Sequence, residues 1–429
     1  MKNSIEDTHP SKPRLIIADP SLVDERGHHF SLTKQITRGA KLLGTSTIWF
    51  THKDFSLSNA GGQIDTHSIF SSTMYDRYKL DHKKCVGSHT YKTLLAELLE
   101  GITQANLNSN DNIFFHTGYG DVFRAIRELF KEHAFNNLPN IHICTPYDFN
   151  SMPGNDHDGR LEGCFEYWNG NEVVDRKIFF WAETPQLAQY YTVRFGYNVR
   201  SLPLPTSPRP NQAIEKSNSN VLTVTYLGAA REEKGFLLLP ELIESLYDRY
   251  GRTGKLKFVI QCSPQIIGYL PNIMAAIDKL SHFPKTYVQL IKTVLDETEY
   301  HNKIQEADVL LLLYDQKNYC IRGSGIAVEA VSMGKCLLTH RGTFCESLIT
   351  HGGGKAVNNL YESVDFLSQM IENREKYMQC AALQEKHYRL RYNDERYVSK
   401  LMELGKSRND FTFYPSIYTG KIIPYLSRM

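Results

Sequence analysis

The chain has 429 residues, about three times the ~150 of a common domain, so two α/β domains of roughly 200 residues fit better than one core. With 41% hydrophobic and 22% charged residues, Gly 28 and Pro 17, the composition excludes disordered, collagen-like and coiled-coil classes. A net charge of +2 argues against a nucleic-acid binder, which is usually more basic, and leaves room for a local phosphate-binding patch.

In chain order, short apolar strands alternate with longer helical patterns. RLIIAD (14–19) leads into the helical FSLTKQITRGAKLLG, and TSTIWFTH (45–52) follows as the next strand. NIFFH (112–116), a helix over 119–133, IHICTP (141–146), KIFFWAE (177–183), a helix over 185–195 and VRSLPLP (199–205) complete the first half. Residues 206–220, TSPRPNQAIEKSNSN, hold almost no apolar side chain and read as a linker. The alternation restarts with strands at 221–228, 256–262, 286–292, 308–314 and 335–341, and helices near 236–250, 296–306 and 325–334. The stretch from about 360 to 405 is helical and charged. Such alternation predicts parallel sheets covered by helices on both faces. The expected division is 1–205, a linker at 206–220, 221–394, and a C-terminal segment 395–429 that crosses back to the first half. Two Rossmann-like, doubly wound domains would then face each other across a cleft, with ligands at the carboxyl ends of the strands.

The N-terminus MKNSIEDTHPSKP lacks the apolar core of a signal peptide, and the longest apolar run, VLLLLY near 310, is far short of a membrane span. The eight cysteines form no CxxC pair, and several lie in apolar strands such as Cys144 and Cys262. They read as reduced core residues of a cytoplasmic protein.

Two segments of the second half point to an anion. GAAREEKG (228–235) joins a strand to a helix and places Arg231 and Lys234 three residues apart, where both can reach one phosphate. Small residues from Gly228 let backbone pass close to a ligand. The other reading is a solvated charged turn, since Glu232 and Glu233 lie between them. RGSGIAVEAVSMGK (322–335) follows a buried-looking strand and a polar loop. Gly323, Ser324, Gly325 and Ile326 open a helix whose free N–H groups favour a diphosphate, and Glu329 one turn on can accept from a ribose diol. Otherwise it is a Gly-rich loop with a surface glutamate.

Together these segments resemble the donor half of the GT-B glycosyltransferases, in particular the large retaining, nucleotide-sugar-dependent group (glycosyltransferase family 4, glycosyl transferases group 1). The resemblance implies that Arg231 and Lys234 neutralise the donor diphosphate, that Glu329 holds the ribose, and that backbone near Thr293–Leu295 faces the base. It further implies that Gly228 and Arg322 belong to the donor site. One departure stands out. The family pattern has a Glu eight positions before Glu329, and this chain has Ile321 there, with Arg322 beside it to reach a donor oxygen. In the first half, DERGHHF (24–30) resembles the Gly-containing loop that approaches the diphosphate, which assigns Gly27. His28 and His29 either approach the reaction centre or cap and pack the helix. His116, at a strand end, is placed beside the donor sugar as a catalytic group, the alternative being a hydrogen-bonded loop histidine. Glu183 is a weaker candidate.

The triplet Asp156-His157-Asp158 could hold a divalent ion, but its loop, MPGNDHDGRLEG, reads as solvated. The expected activity is therefore hexosyltransferase-type glycosyl transfer, with retention, no metal and no cofactor beyond the nucleotide-sugar co-substrate, and with EDTA leaving it active. The acceptor is a sugar, lipid-linked or other hydroxyl, with polysaccharide synthesis as setting. Arg38 and Lys41 on the stretch 36–43 suggest either peripheral contact with the inner face of a membrane or a solvated helix face. A nucleotide-sugar epimerase and a non-catalytic nucleotide-sugar-binding subunit are the competing readings.

Overall fold

The computed structural model describes residues 12–57, 64–75, 91–133, 137–149, 151–152, 160–171, 176–206, 220–264 and 268–403. The Asp156-His157-Asp158 triplet, most of the expected linker and the last 26 residues of the C-terminal segment (404–429) lie outside them. The described residues up to Pro203 together with those from Asp394 form one unit, and Leu204–Asn393 form another.

The first unit is a seven-stranded sheet in the order β3-β2-β1-β4-β5-β6-β7. Its strands are β1 (Leu15–Ala18), β2 (Thr47–His52), β3 (Asp65–Phe70), β4 (Asn112–Phe115), β5 (Asn140–Thr145), β6 (Ile178–Ala182) and β7 (Arg200–Ser201). Each neighbouring pair is parallel, with Leu15 opposite both Thr47 and Asn112. The helices are α1 (Gly27–Leu42), α2 (Tyr91–Gln104), α3 (Gly120–Glu132), α4 (Arg160–Asn169) and α5 (Pro185–Phe195). Helix α5 shows how local chemistry sets the ends. Thr184 accepts the Leu187 N–H as N-cap, Pro185 opens the first turn, and Gly196 at φ 64 ends it in the left-handed region.

The second unit is a six-stranded parallel sheet, β10-β9-β8-β11-β12-β13. It uses β8 (Leu222–Tyr226), β9 (Leu256–Gln261), β10 (Val288–Ile291), β11 (Val309–Leu312), β12 (Cys336–His340) and β13 (Gly354–Val357). Helices α6 (Leu239–Leu246), α7 (Pro271–Ser281), α8 (Glu297–Glu306), α9 (Gly325–Ser332), α10 (Leu360–Glu372) and α11 (Arg374–Arg391) cover it. One core lies on one side of this sheet around Val224, Phe258 and Leu311, and another on the opposite side around Leu310, Leu312 and Val331. Burial on both faces explains why these strands are apolar without alternation.

The last helix, α12 (Asp394–Glu403), belongs to the first unit and lies along α1. Gly39 permits the approach, since a Cβ there would collide with the Asp394 carbonyl and the Val398 side chain. Arg38, read above as a solvated or membrane-facing cation, pairs with Asp394. Among the described residues no helix is long and apolar enough to cross a membrane.

The order of strands reverses between β1 and β4 in one unit and between β8 and β11 in the other. Loops diverge at such points and leave room for a ligand.

Candidate functional site

In the second unit, the loop leaving β8 begins at Gly228, whose φ of 109 is open to glycine but strained for other residues. Its N–H donates to Gln261 Oε1 at 2.8 Å, and Gln261 Nε2 donates to the Thr293 carbonyl at 3.1 Å. The chain then makes a single 3₁₀ turn, Glu232–Lys234, capped by Gly235 at φ 76 against the Leu313 carbonyl, where a Cβ would collide. Arg231, extended at φ -132, leads into this turn and Lys234 closes it, which brings the two cations near one another.

Arg231 Nη2 donates to the Tyr319 hydroxyl at 3.2 Å, and its Nε lies 3.1 Å from Glu233 Oε1. The guanidinium of Arg322 lies 5.3 Å from the Tyr319 ring centre. Lys234 Nζ lies 5.7 Å from the Tyr314 ring centre and 3.5 Å from where a Gly228 Cβ would stand, a position that Ile326 also approaches to 3.5 Å. Gly228, Arg231, Lys234, Arg322 and Ile326 thus converge. Among the described residues no carboxylate is within ion-pair distance of Lys234 or Arg322. Burial, reinforced by Arg231 and Arg322, pushes the Lys234 ammonium down to about 7. A lysine buried with two other cations and little counter-charge is stabilised by any anion that enters beside it.

Helix α9 supplies N–H groups to the same region. Ser324 is its N-cap, accepting the Ala327 N–H at 3.3 Å, with the Tyr314 hydroxyl 3.4 Å away. Gly323 precedes it, and Gly325 is exposed with open space where a Cβ would be. One turn on, Glu329 Oε2 accepts from the Tyr300 hydroxyl at 2.6 Å. Burial pushes its carboxyl up to about 7 despite that hydrogen bond. Ile321 is buried at 4% exposure, and nothing at its position offers a carboxylate.

The first unit treats its expected residues differently. Gly27 opens α1 at φ 72, exposed and with open space around it. His116 follows β4 but is fully buried. Its Nε2 lies 3.1 Å from Asp19 Oδ2 and 3.1 Å from Thr33 Oγ1, and its Nδ1 lies 3.0 Å from Thr117 Oγ1. His116 therefore has no exposed surface with which to touch a sugar, because α1 closes over it through His29 and Thr33, four residues apart on one helix face. His29 is buried too, with Nδ1 2.6 Å from Asp19 Oδ2, whereas His28 is exposed and packs its ring 3.9 Å from that of His29. Burial would raise the Asp19 carboxyl, but His29 and His116 outweigh it and hold it well below the usual carboxylate range. Sequence reasoning missed Asp19, although it directly ends RLIIAD. It also missed Tyr300, Tyr314 and Tyr319, whose hydroxyls and rings carry the second-unit site.

Solved structures match 92% of the chain. A trehalose-6-phosphate protein from E. coli with UDP-2-fluoro glucose bound matches at TM-score 0.65 and 12% identity, over 92% of this chain and 99% of that one. A UDP-forming α,α-trehalose-phosphate synthase from Burkholderia xenovorans, in complex with glucose-6-phosphate, matches at 0.62 and 12%, over 92% and 100%. Sucrose-phosphate synthase from Thermosynechococcus elongatus matches at 0.61 and 10%, over 92% and 98%. No family model and no curated protein matches the chain. The fold is the GT-B type, two doubly wound parallel-sheet domains in one chain.

Proposed function

We propose that the chain is a glycosyltransferase that moves a sugar from a nucleotide-diphosphate donor to an acceptor hydroxyl. The observation that carries this reading is the convergence of Arg231, Lys234 and Arg322 on the open N-terminus of α9, one turn from Glu329. The barrier lies in breaking the bond from the anomeric carbon to the diphosphate. Preorganised cations and helix N–H groups stabilise the negative charge that develops on the leaving oxygen. They supply the charge that a divalent ion supplies elsewhere, so transfer proceeds when Mg²⁺ and Mn²⁺ are omitted. Glu329, with Tyr300 behind it, accepts from the ribose diol, and backbone at Thr293–Leu295 faces the base. Neighbours of the same fold support a UDP-sugar donor and a sugar-phosphate acceptor, one holding UDP-2-fluoro glucose and another glucose-6-phosphate. Retention of configuration, an acceptor in polysaccharide or glycoconjugate synthesis (including a lipid-linked one), and cytoplasmic work beside a membrane extend the same reading.

The test is a thermal-shift screen of nucleotide sugars against the full chain, followed by product analysis with glucose-6-phosphate and other hydroxyl acceptors. A donor that stabilises the protein and yields a glycosylated acceptor supports the proposal. The buried Ile321 favours one rival, a nucleotide-sugar-binding protein without turnover, which predicts stabilisation by donor and no product with any acceptor.

A further inference from the structure

Asp19, His29 and His116 are brought together from the end of β1, the first turns of α1 and the end of β4, at the strand-order reversal of the first unit. Their sequence separation of up to 97 positions hides the cluster from any motif scan. Asp19 Oδ2, His29 Nδ1 and His116 Nε2 all lie within 4.8 Å of one another, and all three side chains are buried.

We propose that Asp19, His29 and His116 form a site for one divalent transition-metal ion, Zn²⁺ being the ion their donor set suits best. Two imidazole nitrogens and one carboxylate oxygen are a recurrent ligand set for zinc with a fourth position open. The Asp19 oxygen lies 2.6 and 3.1 Å from the two nitrogens, near the ~3.3 Å edge of a tetrahedron with metal–ligand bonds of about 2.0–2.1 Å. Thr33 Oγ1, 3.1 Å from His116 Nε2, borders the remaining position.

The strongest support is that the outer atom of every ligand is already held. Asp19 Oδ1 accepts the Ser21 N–H at 2.9 Å, His29 Nε2 meets the Tyr75 hydroxyl at 3.0 Å, and His116 Nδ1 meets Thr117 Oγ1 at 3.0 Å. Metal-binding histidines nearly always have their second nitrogen fixed in this way, which aims the first one. The site is independent of the proposed donor chemistry, whose charged groups all lie in the other unit.

Titration of the full-length, chelator-treated protein with Co²⁺ tests the proposal. One equivalent should bind with ligand-field absorption in the visible, and one equivalent of Zn²⁺ should bleach it. His116→Gln and His29→Gln should abolish the band. Tyr75→Phe and Thr117→Val, which remove only outer hydrogen bonds and leave the packing nearly intact, should weaken binding about 10–100-fold. No band in the wild type, a band that survives His116→Gln, or unchanged affinity in both outer variants overturns the proposal.

Discussion

Each sheet places a polar cluster where its strand order reverses, and the two clusters are built in opposite ways. Around Asp19 the donors and acceptors answer one another, and the side chains are sealed from water. Around Lys234 positive charge is in excess: Arg231, Lys234 and Arg322 converge, Glu233 pairs with Arg231, and the helix end beside them is open. In the first cluster the hydrogen bonds tie β1, α1 and β4 together and keep the three ligand atoms of the proposed metal site aimed at one point. A cluster of like charges lowers stability, and it persists where an outside ion relieves it.

Removing the centre of the first cluster should have the largest effect. Asp19→Ala leaves two buried histidines without their shared partner and should cost about 3–5 kcal/mol. All three tryptophans, Trp49, Trp168 and Trp181, lie in the first unit, so their fluorescence follows its unfolding alone. A denaturant midpoint unmoved in that signal would break the contrast.

Next in size, Arg231→Ala or Lys234→Ala should lower turnover on the order of 10²–10³-fold, about 3–4 kcal/mol of transition-state stabilisation. Stability should not fall with it, because neither cation holds the fold. Wild-type turnover in both variants would sink the charge-stabilisation account.

The Glu329 carboxyl gives a smaller effect with a definite sign. Its folded value of about 7 lies above its ordinary 4.5, so stability is fully present below about pH 4.5 and is lost as pH rises through 7. Glu329→Gln removes that loss. By calorimetry it should match the wild type at pH 4.5 and exceed it by about 3 kcal/mol at pH 8. Identical pH slopes would show that the site stores no such cost.

Smallest is the pH dependence of donor affinity. Lys234 is charged below about pH 7, so a nucleotide sugar should bind best there. Affinity should weaken by up to about tenfold between pH 7 and 8, because binding then takes up a proton. Calorimetric titration at pH 6, 7 and 8 checks this, and Lys234→Met should flatten the profile.

Much of the architecture was legible because central parallel strands are buried on both faces and stand out as apolar runs. Two edge strands were missed: β3, where DTHSIF is half polar, and β13, where GKAV is short and opens with glycine. The expected strand at 199–205 shrinks to Arg200–Ser201, since Pro203 and Pro205 have no N–H for a ladder. The helix near 236–250 splits into a 3₁₀ turn, α6 and a terminal wide turn. Arg231 and Lys234 were readable because a turn brings near neighbours together. Tyr319 and Tyr300 were not, since a short helical turn after β11, Gln316–Tyr319, and α8 deliver them from 88 and 29 positions away along the chain.

The amino-acid sequence alone determined the class of fold and the closeness of Arg231 and Lys234, because strand burial and short-range spacing are written locally. Only the tertiary structure decided what His116 can do. Its exposure depends on α1 crossing over the end of β4 with His29 and Thr33, and on the neighbouring end of β1 placing Asp19 against it, contacts that link residues 83 to 97 positions apart. The fate of a strand-end side chain is set by what packs over it, and local pattern carries no record of that.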